Sequence, residues 1–311
     1  MGLFKKWAAF WNPVIALAFD RETLWSVSDP EGEPRRSAAC VALGGKDRKA
    51  VAVGDDVARV RTSGRENLEI VNYSGRGGLV DCDVAEVAVR HELRTQLKST
   101  GRIAPRIVVA TSSGEIEKRV VKDVMVHAGA RDVITIPRLM AAAIGAGVDV
   151  SKSKADTIMY MDRDWCGFAV IGGARIMAAW EGGGAFDQVL VEKAWRERTD
   201  GDEKPADFDA MFRRLTNQGV ENDPACAAFM RNLLEHYRVA LAKLSKADAH
   251  EAKAGGLYLT GPCAGLHGLK ALLASTWGRP VVVPPRADAA VILGCRIVLG
   301  ELNEVMKSFK R

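Results

Sequence analysis

PRIVVATSSGEIEKRVVKDVMVHAGARDVITIPRLMAAAIGAGVDV, residues Pro105 to Val150, is the stretch that decides the fold. Arg106–Ala110 is a short β-branched run bounded by Pro105 and by a polar turn, which marks a strand. Ser113–Ala128 then places apolar residues three and four apart, the spacing of an amphipathic helix. Glu115 and Glu117 fall in its first turn, where they favour the helix dipole and need no chemical role. Asp132–Ile136 is a second strand, and Arg138–Gly147 is a helix of small residues. Strand, helix, strand and helix in one run argue for α/β architecture, with a sheet covered by helices.

The same alternation continues outward. On the amino-terminal side, Val14–Phe19 and Leu24–Val27 read as strands around a turn, with further strands at Ser37–Leu43 and Lys49–Val53 and a helix at Val84–Leu97. On the carboxy-terminal side, Thr157–Tyr160, Gly167–Ile171 and Arg175–Trp180 form a strand meander, with Gly172-Gly173 as its hairpin turn. Asp207–Leu244 is largely helical, with breaks at Gly219 and Pro224. A strand at Gly256–Leu259, a helix near His267–Ser275, a strand at Pro280–Val283 and a helix at Ala287–Leu302 complete the chain. No short repeat stands out in the sequence.

Composition narrows the function classes. The chain has 311 residues, 48% of them hydrophobic and 27% charged, which suits a globular protein with a large core. A net charge of +5 is mild for this length and the charges are interspersed, so no nucleic-acid partner is expected. No apolar run reaches the roughly 18–20 residues that span a bilayer, and the opening lacks the pattern of a secretory signal. Cys40, Cys82, Cys166, Cys226, Cys263 and Cys295 are scattered with no CxxC pair. Reduced thiols in a cytoplasm are expected, and no metal site. His127 and His267 sit without a paired nucleophile and read as packing or surface residues.

MGLFKKWAAFW, at the amino terminus, is rich in aromatics for a chain with only 6% of them. On a helix, Leu3, Phe4, Trp7, Phe10 and Trp11 share one face, Lys5 and Lys6 lie off it, and Asn12-Pro13 ends it. This is the pattern of a short helix lying in a membrane interface, the alternative being a helix docked on the protein's own body. Each buried aromatic offers on the order of 2 kcal/mol at best, and each Lys near anionic lipid about 1 kcal/mol. Ordering so short a helix offsets much of that, so one copy binds weakly and an assembly of many binds tightly.

Pro105–Val150 closely resembles the middle of the bacterial actin MreB, the rod-shape-determining family, in its "AGAR-V" and "MAAAIGAG" elements. GLYLTGPCAGLHGLKALL (Gly256–Leu273) resembles that family's adenosine segment, LTGGGALL. RPVVVPPRADAAVILGCRIVL resembles its carboxy-terminal end, and SGRENLEIVNYSGRGGLVDCDVAEV its approach to the end of the first subdomain pair. The resemblance covers nearly the whole chain. It implies the actin/Hsp70/sugar-kinase (ribonuclease H-like) fold, with two lobes and ATP bound through two strand–turn–strand hairpins.

The nucleotide motifs depart from the family pattern. Where the first reads DLGTANT, this chain has ALAFDRET (Ala16–Thr23): the leading Asp falls on Ala16 or Leu17, and the glycine on Ala18 or Phe19. Where the second reads DIGGGTT, Tyr160 takes the Asp position, and Asp162, Arg163, Asp164, Trp165 and Cys166 replace GGGTT. The water-positioning Glu of EEPMAAAIG is missing from Pro137-Arg138-Leu139-Met140. Gly261 survives in the adenosine segment, but Pro262 and Cys263 follow it. EGGGAFD keeps the GG-x-x-FD frame through Gly182, Gly183, Phe186 and Asp187. The interval from Asp187 to Gly256 is short for the family's fourth subdomain, which implies that this subdomain is reduced.

Together these features predict a membrane-binding helix at 1–12, a first actin-like lobe at 13–150 and a second at 151–311, with the reduced subdomain at about 188–255. The remnant nucleotide cleft would be marked by Asp20, Thr23, Asp162, Arg163, Asp164, Gly182, Gly183 and Gly261, with no catalytic residue. The expected protein is an MreB-like scaffold on the inner face of the cytoplasmic membrane that self-associates or co-assembles with another actin homologue, and no cofactor is expected. Two alternatives stand beside it. One is an active ATP-driven filament protein, with Asp20, Asp162 or Asp164 holding magnesium and Arg163 touching phosphate. The other is a non-polymerising membrane adaptor of the same fold.

Overall fold

In a computed structural model, residues 13–63, 67–97, 103–183, 219–220 and 224–308 are described. The chain forms two compact units. One comprises the residues up to Ala141 together with those from Val291 on, and the other is Ala142–Ala290. The sequence suggested a single boundary after residue 150, whereas the chain crosses between units twice.

The first unit is built on a five-stranded sheet. Its strands are β1 (Val14–Phe19), β2 (Thr23–Val27), β3 (Arg35–Ala38), β9 (Arg106–Thr111) and β10 (Asp132–Pro137), in the order β10-β9-β1-β2-β3. β1 runs parallel to β9 and antiparallel to β2. Every residue of β1 is buried, as expected of a strand covered on both faces. Between β3 and β9 the chain makes a small sheet from β4 (Cys40–Gly44), β5 (Lys49–Val53) and β6 (Leu68–Asn72), and a helix, α1 (Asp56–Thr62). A two-stranded ribbon, β7 (Ser74–Gly75) with β8 (Gly78–Leu79), and a long helix, α2 (Cys82–Gln96), follow. Asp81 starts α2 by accepting a hydrogen bond from the Val84 amide, 3.0 Å. α2 and α3 (Glu115–His127) supply Val89, Leu93, Val121 and Met125 to a core shared with Ile15, Leu17, Ile107 and Val109.

Sequence reasoning ran Ser37–Leu43 together as one strand, but the chain changes sheets at Ala39. There the Ala39 amide donates to the Glu22 carbonyl (2.9 Å), and its carbonyl accepts from the Tyr73 amide (3.4 Å), so the strand swaps partners in mid-run.

The second unit repeats the first unit's topology. After α4 (Arg138–Gly145) come β11 (Asp156–Met161), β12 (Trp165–Gly172) and β13 (Arg175–Gly183), an antiparallel meander. β14 (Leu257–Thr260) adds parallel to β11, and β15 (Val281–Val282) parallel to β14, giving the order β13-β12-β11-β14-β15. Both sheets are thus a hairpin-linked meander extended by two parallel strands on the far side of its first strand. Gly173 and Ala174, both at positive φ, turn β12 into β13. Within the interval 188–255, the described residues hold two helices, α5 (Pro224–Leu241) and α6 (Lys246–Ala254), and no strand. Gly219 and Val220 are not helical, and Pro224 opens α5, where its missing N–H costs nothing. Met230, Leu233 and Tyr237 of α5 pack with Met159, Phe168, Leu257 and Leu259 of the sheet and with Trp277 of α7 (Leu269–Trp277).

The last helix, α8 (Ala290–Ser308), returns to the first unit. Arg296 Nη1 donates to the Gly32 carbonyl at 2.9 Å, and Gly294 lies so close to the Ala141 backbone that no side chain would fit there.

Candidate functional site

The first expected loop is the β1–β2 turn, Asp20-Arg21-Glu22. Asp20 and Thr23 are both buried. The Asp20 amide donates to the Thr23 carbonyl (3.0 Å), closing the turn. The Asp20 carboxylate folds back onto its own loop: one oxygen accepts from the Glu22 amide (3.1 Å), the other from Trp25 Nε1 (3.2 Å). The Thr23 hydroxyl accepts from Arg36 Nε (3.4 Å), and the Arg36 guanidinium lies 5.9 Å from the Trp25 ring centre.

The second loop, β11–β12 in the other unit, is built the same way. The Asp162 amide donates to the Trp165 carbonyl (2.8 Å), and the Asp162 carboxylate accepts from the Arg163 amide (2.6 Å). Asp162 and Asp164 are buried and Arg163 is half-buried. Tyr160 and Trp165 flank the turn with ring centres 5.4 Å apart, and both are buried. Both turns therefore carry Asp-Arg-acid. In each, an aspartate side chain holds an amide that a glycine loop would leave for a phosphate oxygen. Sequence reasoning found the two loops separately and missed their likeness. The signal was there in AFDRET and YMDRDW, the same tripeptide class after two buried strands.

The second unit gathers its expected residues at one end of its sheet. Gly183 pairs with Trp165 and Gly182 with Cys166, and the Cys166 thiol donates to the Gly183 carbonyl at 3.3 Å. Burial pushes the Cys166 thiol well above the ordinary range, so it stays protonated. Both glycines lie within β13. Phe186 and Asp187 of the same frame fall outside the described residues. A side chain on Gly182 would strike the Trp180 ring at 2.5 Å. Gly261 adopts φ +95°, and its amide donates to the Ala287 carbonyl at 2.8 Å. A Cβ there would lie 2.9 Å from the Met161 amide nitrogen and nearer still to its carbonyl oxygen. Gly182 and Gly261 thus each have a packing reason to be glycine. Asp20 and Thr23 belong to the first unit and sit in its own turn. Leu3, Phe4, Trp7, Phe10 and Trp11 lie outside the described residues.

A family model described as MreB/Mbl protein matches residues 31–193, more than half of the chain. The chain belongs to the MreB/Mbl family. Among curated relatives, the cell shape-determining protein MreB of Escherichia coli K12 is 27% identical over 273 residues, covering 77% of this chain and 78% of the relative. The cell shape-determining protein Mbl of Bacillus subtilis 168 is 23% identical over 301 residues, covering 86% and 90%. Among solved structures, Spiroplasma citri MreB5 bound to AMPPNP superposes with a TM-score of 0.75 at 16% identity, covering 96% of this chain and 98% of that one. The MamK double helical filament superposes with a TM-score of 0.72 at 13% identity, covering 93% and 99%. The fold is therefore that of the bacterial actins, and the repeated sheet is its two-lobed plan. As an MreB/Mbl-family member, the chain is an actin homologue of the cell-shape cytoskeleton.

Proposed function

We propose that this MreB/Mbl chain is a scaffold that assembles with itself or with another actin homologue on the inner face of the cytoplasmic membrane, and that it does not hydrolyse ATP. One observation carries the second half of this reading. In both hairpins an aspartate carboxylate occupies a loop amide, so a triphosphate would have to displace a buried anion from each turn. Two carboxylates in the second turn, Asp162 and Asp164, add repulsion toward a polyanion. Pro137-Arg138-Leu139-Met140 stands where the family's hydrolytic Glu is expected, which leaves no carboxylate there to orient a water.

The reading is tested by titrating the purified chain with Mg-ATP while following melting temperature and phosphate release. Neither should change. The MreB5 neighbour was solved with AMPPNP and with ADP, which favours a second reading, a nucleotide-switched filament with Arg163 touching phosphate. A magnesium-dependent rise in melting temperature would establish that second reading and overturn the first.

Self-assembly is supported by the likeness to MamK, whose solved form is a double helical filament. Attachment to the membrane rests on the Leu3–Trp11 apolar face. Sedimentation with anionic liposomes should pull down the wild type but not Trp7→Glu/Trp11→Glu, and electron microscopy of the same samples should show filaments. Equal pelleting of both proteins would end the membrane proposal. Binding without filaments would favour an adaptor.

A further inference from the structure

The first unit holds a recess at the carboxyl ends of β1 and β9, the end of an α/β sheet where ligands are usually received. It is small and partly open, with room for a group of a few atoms and not for a nucleoside. Gly77 and Gly78 of the β7–β8 ribbon line one side and present no side chain to it. Thr111 and Ser112, where β9 gives way to α3, line another. Both are buried, and the hydroxyl oxygens of both have no hydrogen-bond partner. Unpartnered buried hydroxyls are uncommon in native proteins, and two in succession on one cavity wall point to a ligand. The Arg138 side chain, also buried, lines the same recess and brings a permanent positive charge to it.

We propose that this recess binds a free tetrahedral oxyanion of the size and charge of inorganic phosphate. The Thr111 and Ser112 hydroxyls donate to its oxygens, and the Arg138 guanidinium supplies the countercharge. The recess is too small for a nucleotide, and its walls belong to one unit alone. Glu117 tunes the affinity. This exposed residue in the first turn of α3 lines the mouth and folds its carboxylate over Gly114, next to the amides at the helix N-terminus. A bound dianion would push that carboxylate into solvent.

The test uses the full chain in phosphate-free buffer, titrated calorimetrically with sodium phosphate and with sulfate at constant ionic strength. Saturable binding of one anion per chain is expected. Thr111→Val and Ser112→Ala, which keep the side-chain volume nearly unchanged, should each weaken it about tenfold or more. Glu117→Gln should tighten it severalfold. A purely structural role for the hydroxyl is separated by melting without phosphate: Thr111→Val should melt no lower than wild type, because it removes an unsatisfied buried group. Absence of saturable heat in the millimolar range, unchanged affinity in both hydroxyl variants, or a lower melting temperature for phosphate-free Thr111→Val would each overturn the proposal. So would displacement of the anion by Mg-ATP, since the anion would then belong to a nucleotide site.

Discussion

Replacing Gly261 with Ala tests whether this glycine survives for packing or for nucleotide. At φ +95° a side chain brings backbone strain of roughly 1–2 kcal/mol. The new Cβ would also sit 2.9 Å from the Met161 nitrogen and 3.0 Å from its carbonyl carbon, with the carbonyl oxygen nearer still. Met161 is fully buried at the end of β11, paired to Cys166, so it has no open side to retreat into. Overpacking of this kind typically adds about 1–3 kcal/mol. The variant should therefore lose about 2–5 kcal/mol, which for a unit of this size lowers its melting temperature by roughly 4–20 °C. Gly265 provides the control: it lies four residues on, and nothing is within 4 Å of its would-be Cβ. Gly265→Ala should stay within about 0.5 kcal/mol of wild type. The assay is urea and thermal unfolding by circular dichroism, run with and without Mg-ATP. If Gly261→Ala matches Gly265→Ala in stability, the packing account is refuted. If its only effect is loss of a nucleotide-dependent shift, the glycine serves a ligand.

Ser26→Ala removes a buried hydroxyl that donates to Glu92 Oε1 at 2.6 Å and accepts from Gln96 Nε2 at 2.9 Å. It should cost about 1.5–3 kcal/mol of urea stability, because the Glu92 carboxylate stays buried with one donor fewer; a change below about 0.5 kcal/mol would refute that role. Thiol labelling of the native chain, mapped by mass spectrometry, should reach exposed Cys82 first, and first labelling at buried Cys166 would contradict the fold. The Cys82 rate should climb with pH into the alkaline range, because partial burial and then the Asp81 and Asp83 carboxylates hold this thiol above its ordinary value. Burial also pushes the Cys295 thiol up to about 12 and the Cys166 thiol up as well. The unfolded chain releases these protons near pH 8.5, so it binds fewer protons than the native chain above that pH. Stability should therefore fall as pH rises from about 8.5 toward 12, and urea midpoints that hold constant from pH 8 to pH 10.5 would contradict the assignment.

Most elements were legible because their signals are local. The β-branched run at Arg106–Thr111, the amphipathic spacing of α3 and the glycine turn at Gly173 each need only their own neighbours. Four features were not legible. The short helix α1, the strand β6 and the β7–β8 ribbon have weak periodicity, and β6 is mostly exposed. The change of sheet at Ala39 depends on Glu22 and Tyr73, both distant in sequence. Of the site, the sequence located both hairpin turns but not the inward fold of Asp20 and Asp162. That fold is set by which amides each turn leaves within reach of its carboxylate.

Sequence by itself determined the class of architecture, the kinship with bacterial actins and the loss of glycine from both phosphate loops, because these are written in residue type and local period. Only tertiary structure decided that two dissimilar halves share one sheet topology. It also decided that Gly261 is pinned by the Met161 backbone, and that Thr111 and Ser112 face a shared recess with Arg138. Those facts depend on backbone approach between segments far apart in the chain, and no local pattern of side chains encodes such a distance.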